Sequence, residues 1–183
     1  MADTIQSLVA TTDVGRCVGI EIINQTQNLT LHSPRYYCFS GHSLIPPVLK
    51  ITPGSTANCV FVKTRYSLRG SVGILAYEAG DFILALVFSN PFDYVLYNIQ
   101  FALSITDDKY FYDSMEAAYY RIIKNSFRNS TSIQKVSLSQ CHETVKVTAR
   151  NISAQATMSN DSKAILRVLI ETDNIPHPFE IDQ

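Results

Sequence analysis

Short runs of β-branched and apolar residues return about every ten positions along this chain. "VGIEII" (Val18 to Ile23), "CVFVK" (Cys59 to Lys63) and "VGILAY" (Val72 to Tyr77) open the series. "FILALVF" (Phe82 to Phe88), "NIQFALSI" (Asn98 to Ile105), "ETVKVTAR" (Glu143 to Arg150) and "AILRVLIE" (Ala164 to Glu171) continue it. Gly, Pro, Asn and Asp clusters such as "ITPGS", "YEAGD", "SNPFD" and "MSNDS" separate the runs, and these residues punctuate chains by making turns. Many short strands with regular turns predict a mainly β chain, a compact β-sandwich of about ten strands.

Two segments break the pattern with helical spacing. In "DKYFYDSMEAAYYRIIKNSF", read as a helix from Asp108, Tyr112, Met115, Tyr119 and Ile122 fall on one face. Near the start, "DTIQSLVATT" carries an apolar stripe of Ile5, Leu8 and Val9 behind Asp3 as the expected cap. The expected organisation is an amphipathic segment over 1–17, a sandwich domain over 18–172 and a loose tail over 173–183, whose "DNIPHPFEIDQ" holds two prolines.

The 183 residues fit one domain. A net charge of −1 argues against a nucleic-acid partner. The longest apolar runs fall far short of the ~20 residues of a membrane-spanning helix, and "MADTIQSLVATTDVGRC" has no basic n-region or continuous h-region of a signal peptide. Cys17, Cys38, Cys59 and Cys141 match no zinc or redox spacing and are expected as reduced structural thiols. Asn24, Asn28, Asn129, Asn151 and Asn160 head N-x-S/T sequons, which matter only in a secretory lumen. His32, His42, His142 and His177 are scattered, and no nucleophile elbow, P-loop or dinucleotide fingerprint occurs. Cys141 and His142 in "CHE" would point to opposite faces of a strand. No enzyme, cofactor or metal is expected.

The aromatic residues carry more information. The chain has ten tyrosines and no tryptophan, and several tyrosines sit in or beside the "SNPFD" turn. Core packing is the ordinary role of such rings. Turn tyrosines instead keep wet hydroxyls and open ring faces, and such rings hold a quaternary ammonium by cation–π attraction.

"VGIEIIN", "YCFSG", "GSVGILAYE", "VFSNPFDYVLY" and "MEAAYY" occur in the order and spacing of the actinoporins, the sea-anemone pore-forming cytolysins and their relatives. The chain resembles that family from Val18 to Glu171, most specifically over "FSNPFDYVLY". The resemblance implies a β-sandwich flanked by two α-helices, a membrane-lipid partner, and an oligomeric pore made by the N-terminal helix. It also implies a phosphocholine pocket at Ser40, Val72, Ser89, Pro91, Tyr97, Tyr119 and Tyr120. Serine and tyrosine hydroxyls would donate to the phosphate, the rings would enclose the ammonium, and Val72 and Pro91 would form apolar walls.

The chain departs from the family at several points. Met115 stands where the family has a further tyrosine, and Leu96 and Gln100 stand where it has exposed tryptophans used on sphingomyelin membranes. "SFRNSTS" (Ser126 to Ser132) replaces an Arg-Gly-Asp tripeptide. Only 17 residues precede Val18, and as continuous helix they would reach about 25 Å, against a ~30 Å hydrocarbon core. Headgroup binding is therefore expected ahead of lysis, by a protein acting at a target membrane after release by a route other than a readable signal. A lectin-like module, with the similar sandwich of the fungal fruit-body lectins, is the alternative.

Overall fold

A computed structural model describes residues 3–124, 130–138 and 143–173, with the side chains of Tyr110, Phe111 and Lys124 left aside. The chain runs α1 (Ile5–Ala10), β1 (Cys17–Gln25), β2 (Leu31–Ser40), β3 (His42–Ile45), β4 (Lys50–Ile51) and β5 (Thr56–Val62). It continues through β6 (Ser71–Ala79), β7 (Phe82–Asn90), β8 (Ile99–Thr106) and a 3-10 turn over Lys109–Tyr112. Then follow α2 (Met115–Lys124), β9 (Ile133–Leu138), β10 (Thr144–Ala149), β11 (Ile152–Met158) and β12 (Lys163–Thr172). Every run singled out in the sequence lies within or across one of these strands.

The strands form two six-stranded sheets, ordered β10-β11-β12-β1-β5-β3 and β4-β2-β6-β7-β8-β9. All pairings are antiparallel except β1 with β12, which run parallel from Cys17↔Lys163 to Gln25↔Glu171. Alternation along each strand sends one set of side chains inward. Val18, Ile20 and Ile22 of β1 meet Leu84, Leu86 and Phe88 of β7 in the central core, where the Phe61 and Phe88 rings lie 4.8 Å apart.

Each helix caps the outer face of one sheet. Ile5 and Val9 of α1 pack on Cys17, Val60 and Val62. Gly19 permits this approach, because a Cβ there would sit 2.4 Å from Val9 Cγ1 and 2.8 Å from Ile5 Cδ1. The cap of α1 is Thr4, whose hydroxyl accepts from the Ser7 amide, not the expected Asp3. On the other sheet, Ala118, Tyr119 and Ile122 of α2 pack on Ile74, Ala85, Val87 and Ala102.

The second predicted helix has the right face but is interrupted. Tyr112 closes the 3-10 turn, buried, with its hydroxyl on Ser104 Oγ at 2.9 Å. The chain then restarts as α2 behind Ser114, whose Oγ accepts from the Ala117 amide. Local capping by serine ends one helical segment and begins the next. Among the other expectations, Asn24 is wholly buried and its amide donates to the Leu29 and Ile51 carbonyls, so that sequon is structural. Cys17 and Cys59 are buried free thiols and Cys38 is half-buried. Burial pushes the Cys59 thiol up to about 12. Cys141, His142, His177, Asn129, the 126–129 part of "SFRNSTS" and all of the expected tail beyond Asp173 lie outside the described residues. No described helix is long and apolar enough to cross a membrane.

Candidate functional site

One end of the sandwich gathers the starts of β1 and β12, the β5–β6 loop and the β7–β8 loop. The two loops touch: Gly70 has no room for a Cβ, which would fall 1.9 Å from the Asn90 carbonyl oxygen and 2.7 Å from Pro91 Cα. Asn90 fixes this end. Its amide nitrogen donates toward the carbonyls of Cys17, Asp161 and Ser162 at 2.8–3.2 Å, and its Oδ1 accepts from the Tyr94 hydroxyl at 2.7 Å. Asp93 folds the loop tip by accepting from the Val95 and Leu96 amides, an Asx turn.

The tip is apolar and open to solvent. Val95 is 93% exposed and Leu96 and Tyr97 are exposed beside it. Tyr66 on the neighbouring loop is 98% exposed and holds a left-handed backbone, φ +60°, which an aromatic residue rarely adopts. Leu68 is exposed next to it.

Arg16 ties the hinge between α1 and β1 to this tip. Its Nε donates to the Pro91 carbonyl at 3.1 Å and an Nη to the Phe92 carbonyl at 3.0 Å. Its guanidinium lies 4.4 Å from the Tyr94 ring centroid and 5.5 Å from that of Phe92. The open ring faces expected of the turn aromatics are thus partly covered by a cation of the protein itself.

The residues named from the sequence divide into groups. Ser40, Val72 and Ser89 are successive cross-strand partners on β2, β6 and β7, and the row continues to Gln100 on β8. Val72 and Ser89 alternate with the inward neighbours of the sheet, so both leave it on the α2 side. Pro91 is buried at the end of this row, against Gly70. The Ser40 hydroxyl donates to the Gly70 carbonyl at 2.8 Å, so its proton is already committed. Tyr119 and Tyr120 sit edge to face, 5.4 Å apart, and Tyr120 and Val72 pack against the same cluster beneath α2. Tyr97 stands apart on the loop tip, outside the ring contacts of that cluster among the described residues.

Two findings alter the expected picture. Tyr119 is only 4% exposed, so it is core and not an open ring; burial, with Tyr120 and Tyr37 adding, pushes its hydroxyl up to about 12. The open ring over it is Phe39, stacked on Tyr119 at 5.4 Å and 18° and edge-on to Tyr120 at 6.2 Å. Tyr37 completes the cluster, 5.9 Å from Tyr119, and donates to Glu116 Oε1 at 3.2 Å. Desolvation and that carboxylate raise Tyr37 to about 12. Phe39 and Tyr37 stand in "YYCFSG", directly before Ser40, but strand alternation is broken there by a bulge between Cys38 and Ser40. The period of two could not assign Phe39 to a face.

No family model matches the chain. A toxin of Hydra vulgaris, Hydra actinoporin-like toxin 3, is 28% identical over 97 residues, 53% of this chain and 61% of that protein. The chain thus spans about three fifths of that relative. The crystal structure of the lipid-binding protein Nakanori superposes with a TM-score of 0.71 at 15% identity, over 91% of this chain and 76% of that one. The fold is actinoporin-like. Within the actinoporin-like fold, the two sheets and their two outer helices bring Ser40, Val72, Ser89 and Pro91 to the same end as the β7–β8 loop.

Proposed function

We propose that this actinoporin-like chain binds membrane lipid through a phosphocholine-type headgroup. The observation that carries the reading is the row Ser40, Val72 and Ser89 between the Phe39–Tyr119–Tyr120 cluster and the exposed Val95–Leu96–Tyr97 tip. The Hydra relative is a toxin by name and Nakanori a lipid-binding protein, which supports the reading. Ser89 would donate to phosphate, and Tyr120 and Ser40 would do so by releasing Tyr37 and Gly70. Phe39, Tyr120 and Tyr97 would offer ring faces to the ammonium. Tyr119 would hold Phe39 in place. Val95, Leu96 and Tyr66 would enter the interface, where apolar and tyrosine side chains are stabilised.

The test is flotation of phosphatidylcholine and sphingomyelin vesicles with wild type, Tyr97→Ala and Ser89→Ala. Tyr97→Ala is expected to weaken binding between about two- and thirtyfold, the range of one cation–π contact. Equal binding by all three proteins would sink the assignment. A pore made by oligomers with α1 inserted is a further step of this proposal. The six residues of α1 span about 9 Å as helix, so insertion would need neighbouring residues to join it. Dye release from vesicles that bind the protein tests that step, and vesicles that stay sealed at saturation would exclude it.

A further inference from the structure

Lys63 is 7% exposed, yet its ammonium has no hydrogen-bond acceptor and no carboxylate partner among the described residues. It lies 5.1 Å from the centroid of the Phe92 ring. The Arg16 guanidinium lies 5.5 Å from the same ring and also makes no ion pair among the described residues. Its hydrogen bonds there go to carbonyls, those of Gly15, Pro91 and Phe92. Two like charges held at one ring, the Lys63 stem buried and its ammonium reaching an open pocket, make a positive potential that an anion would lower. Ring faces attract a cation but do not remove its charge.

An open pocket of about 220 Å³ adjoins Lys63, lined also by Asp13, Val14, Gly15, Arg65 and Tyr66. Asp13 is occupied there by Arg65 at 2.9 Å, which leaves Lys63 as the pocket's net positive charge, with Arg16 beside it at the Phe92 ring. We propose that this pocket between the α1–β1 hinge and the β5–β6 loop is an anion site, and that its ligand is a phosphate group with at least one unshielded negative charge. Lys63 would donate to the phosphate oxygens and Arg16 would contribute through its remaining N–H groups. Tyr66 and Leu68 at the rim point to an anionic phospholipid headgroup as its source, with free phosphate as the other source of the same chemistry. The site is separate from the Ser40–Ser89 row and stands whether or not that row binds phosphocholine.

The experiment has a soluble arm and a vesicle arm. Thermal melting is compared in phosphate and in chloride at equal ionic strength. Flotation is compared for phosphatidylcholine vesicles with and without phosphatidic acid. Wild type, Lys63→Met and Arg150→Gln are measured, the last removing one positive charge at the opposite end. Wild type should melt higher in phosphate or bind the acidic vesicles more tightly. Lys63→Met should weaken that response about tenfold, as expected for a lost charge-assisted bond, while Arg150→Gln keeps it. A response to phosphate alone assigns free phosphate; a response to vesicles assigns the lipid. The proposal is overturned if wild type responds to neither, if Lys63→Met responds as wild type does, or if Arg150→Gln loses as much. If Lys63→Met does not fold, Lys63→Gln takes its place, because phosphate also stabilises folded proteins non-specifically and only a response lost with the Lys63 charge assigns the site. Failure of the phosphocholine row would appear instead in vesicles without phosphatidic acid.

Discussion

At the residue scale, Asn90 is the side chain whose loss should cost most at the candidate-site end. Its amide nitrogen carries two protons for three carbonyls, so one proton is shared, and its oxygen holds Tyr94. Asn90→Ala is expected to destabilise the protein by roughly 2–3 kcal/mol in chemical denaturation, because buried carbonyls lose their donor. Asn90→Asp should cost more, since an acceptor-only carboxylate would face those carbonyls; equal losses for the two would refute this account. Three tyrosine hydroxyls, two buried and that of Tyr37 half-buried, give a second prediction. Tyr37, Tyr112 and Tyr119 are each raised to about 12, chiefly by desolvation. A raised phenol favours the neutral form in the folded state. Its stabilising effect is therefore complete below about pH 10 and is lost as pH climbs toward 12. Ultraviolet titration should show a late-ionising class of tyrosines, and melting temperature should fall across that window. Ionisation of every tyrosine near pH 10 in the folded protein would contradict it.

At the element scale, α1 rests on the sandwich through one glycine. Gly19→Val would place methyls where Val9 and Ile5 now sit, and the helix can move more easily than the central strand. Hydrogen exchange should show α1 deprotected while β1 and β12 stay protected, with a lowered melting temperature. Protection unchanged in α1 would mean that its seat tolerates a side chain. The helices were legible in the sequence by their apolar spacing, which correctly placed Ile5 and Val9, and Tyr112, Tyr119 and Ile122, on buried faces. Their ends were less legible. Thr4 and Asp3 are both good caps, and only the backbone decides between them. Ser114 cut one apparent helix into two segments because its side chain competes for backbone amides.

At the scale of the whole molecule, β1 lies between β5 and β12, so the first strand cannot complete its pairing until the last has formed. Refolding should accordingly be slow for the chain's size, in the millisecond to second range, and single-exponential by fluorescence stopped flow. A chain ending at Met158 should fail to protect β1 from exchange. Protection of β1 without β12 would show that the β1–β5 pairing suffices. The sandwich itself was readable from runs and turns, because a half-buried strand must alternate and a turn must use turn residues. Of the candidate site, only part was readable. The motif resemblance picked out Ser40, Val72 and Ser89, which pairing joins in one row. Phe39, Arg16 and Lys63 were hidden, because their importance arises from contacts across 29 to 81 positions that no local pattern encodes. The parallel pairing of β1 with β12 also has a practical consequence. Both strands start at the end that carries the β7–β8 loop, and β12 finishes roughly 30 Å away at the other. A sensor chip linked through a tag placed beyond Thr172 should therefore present the β7–β8 loop outward, away from the chip.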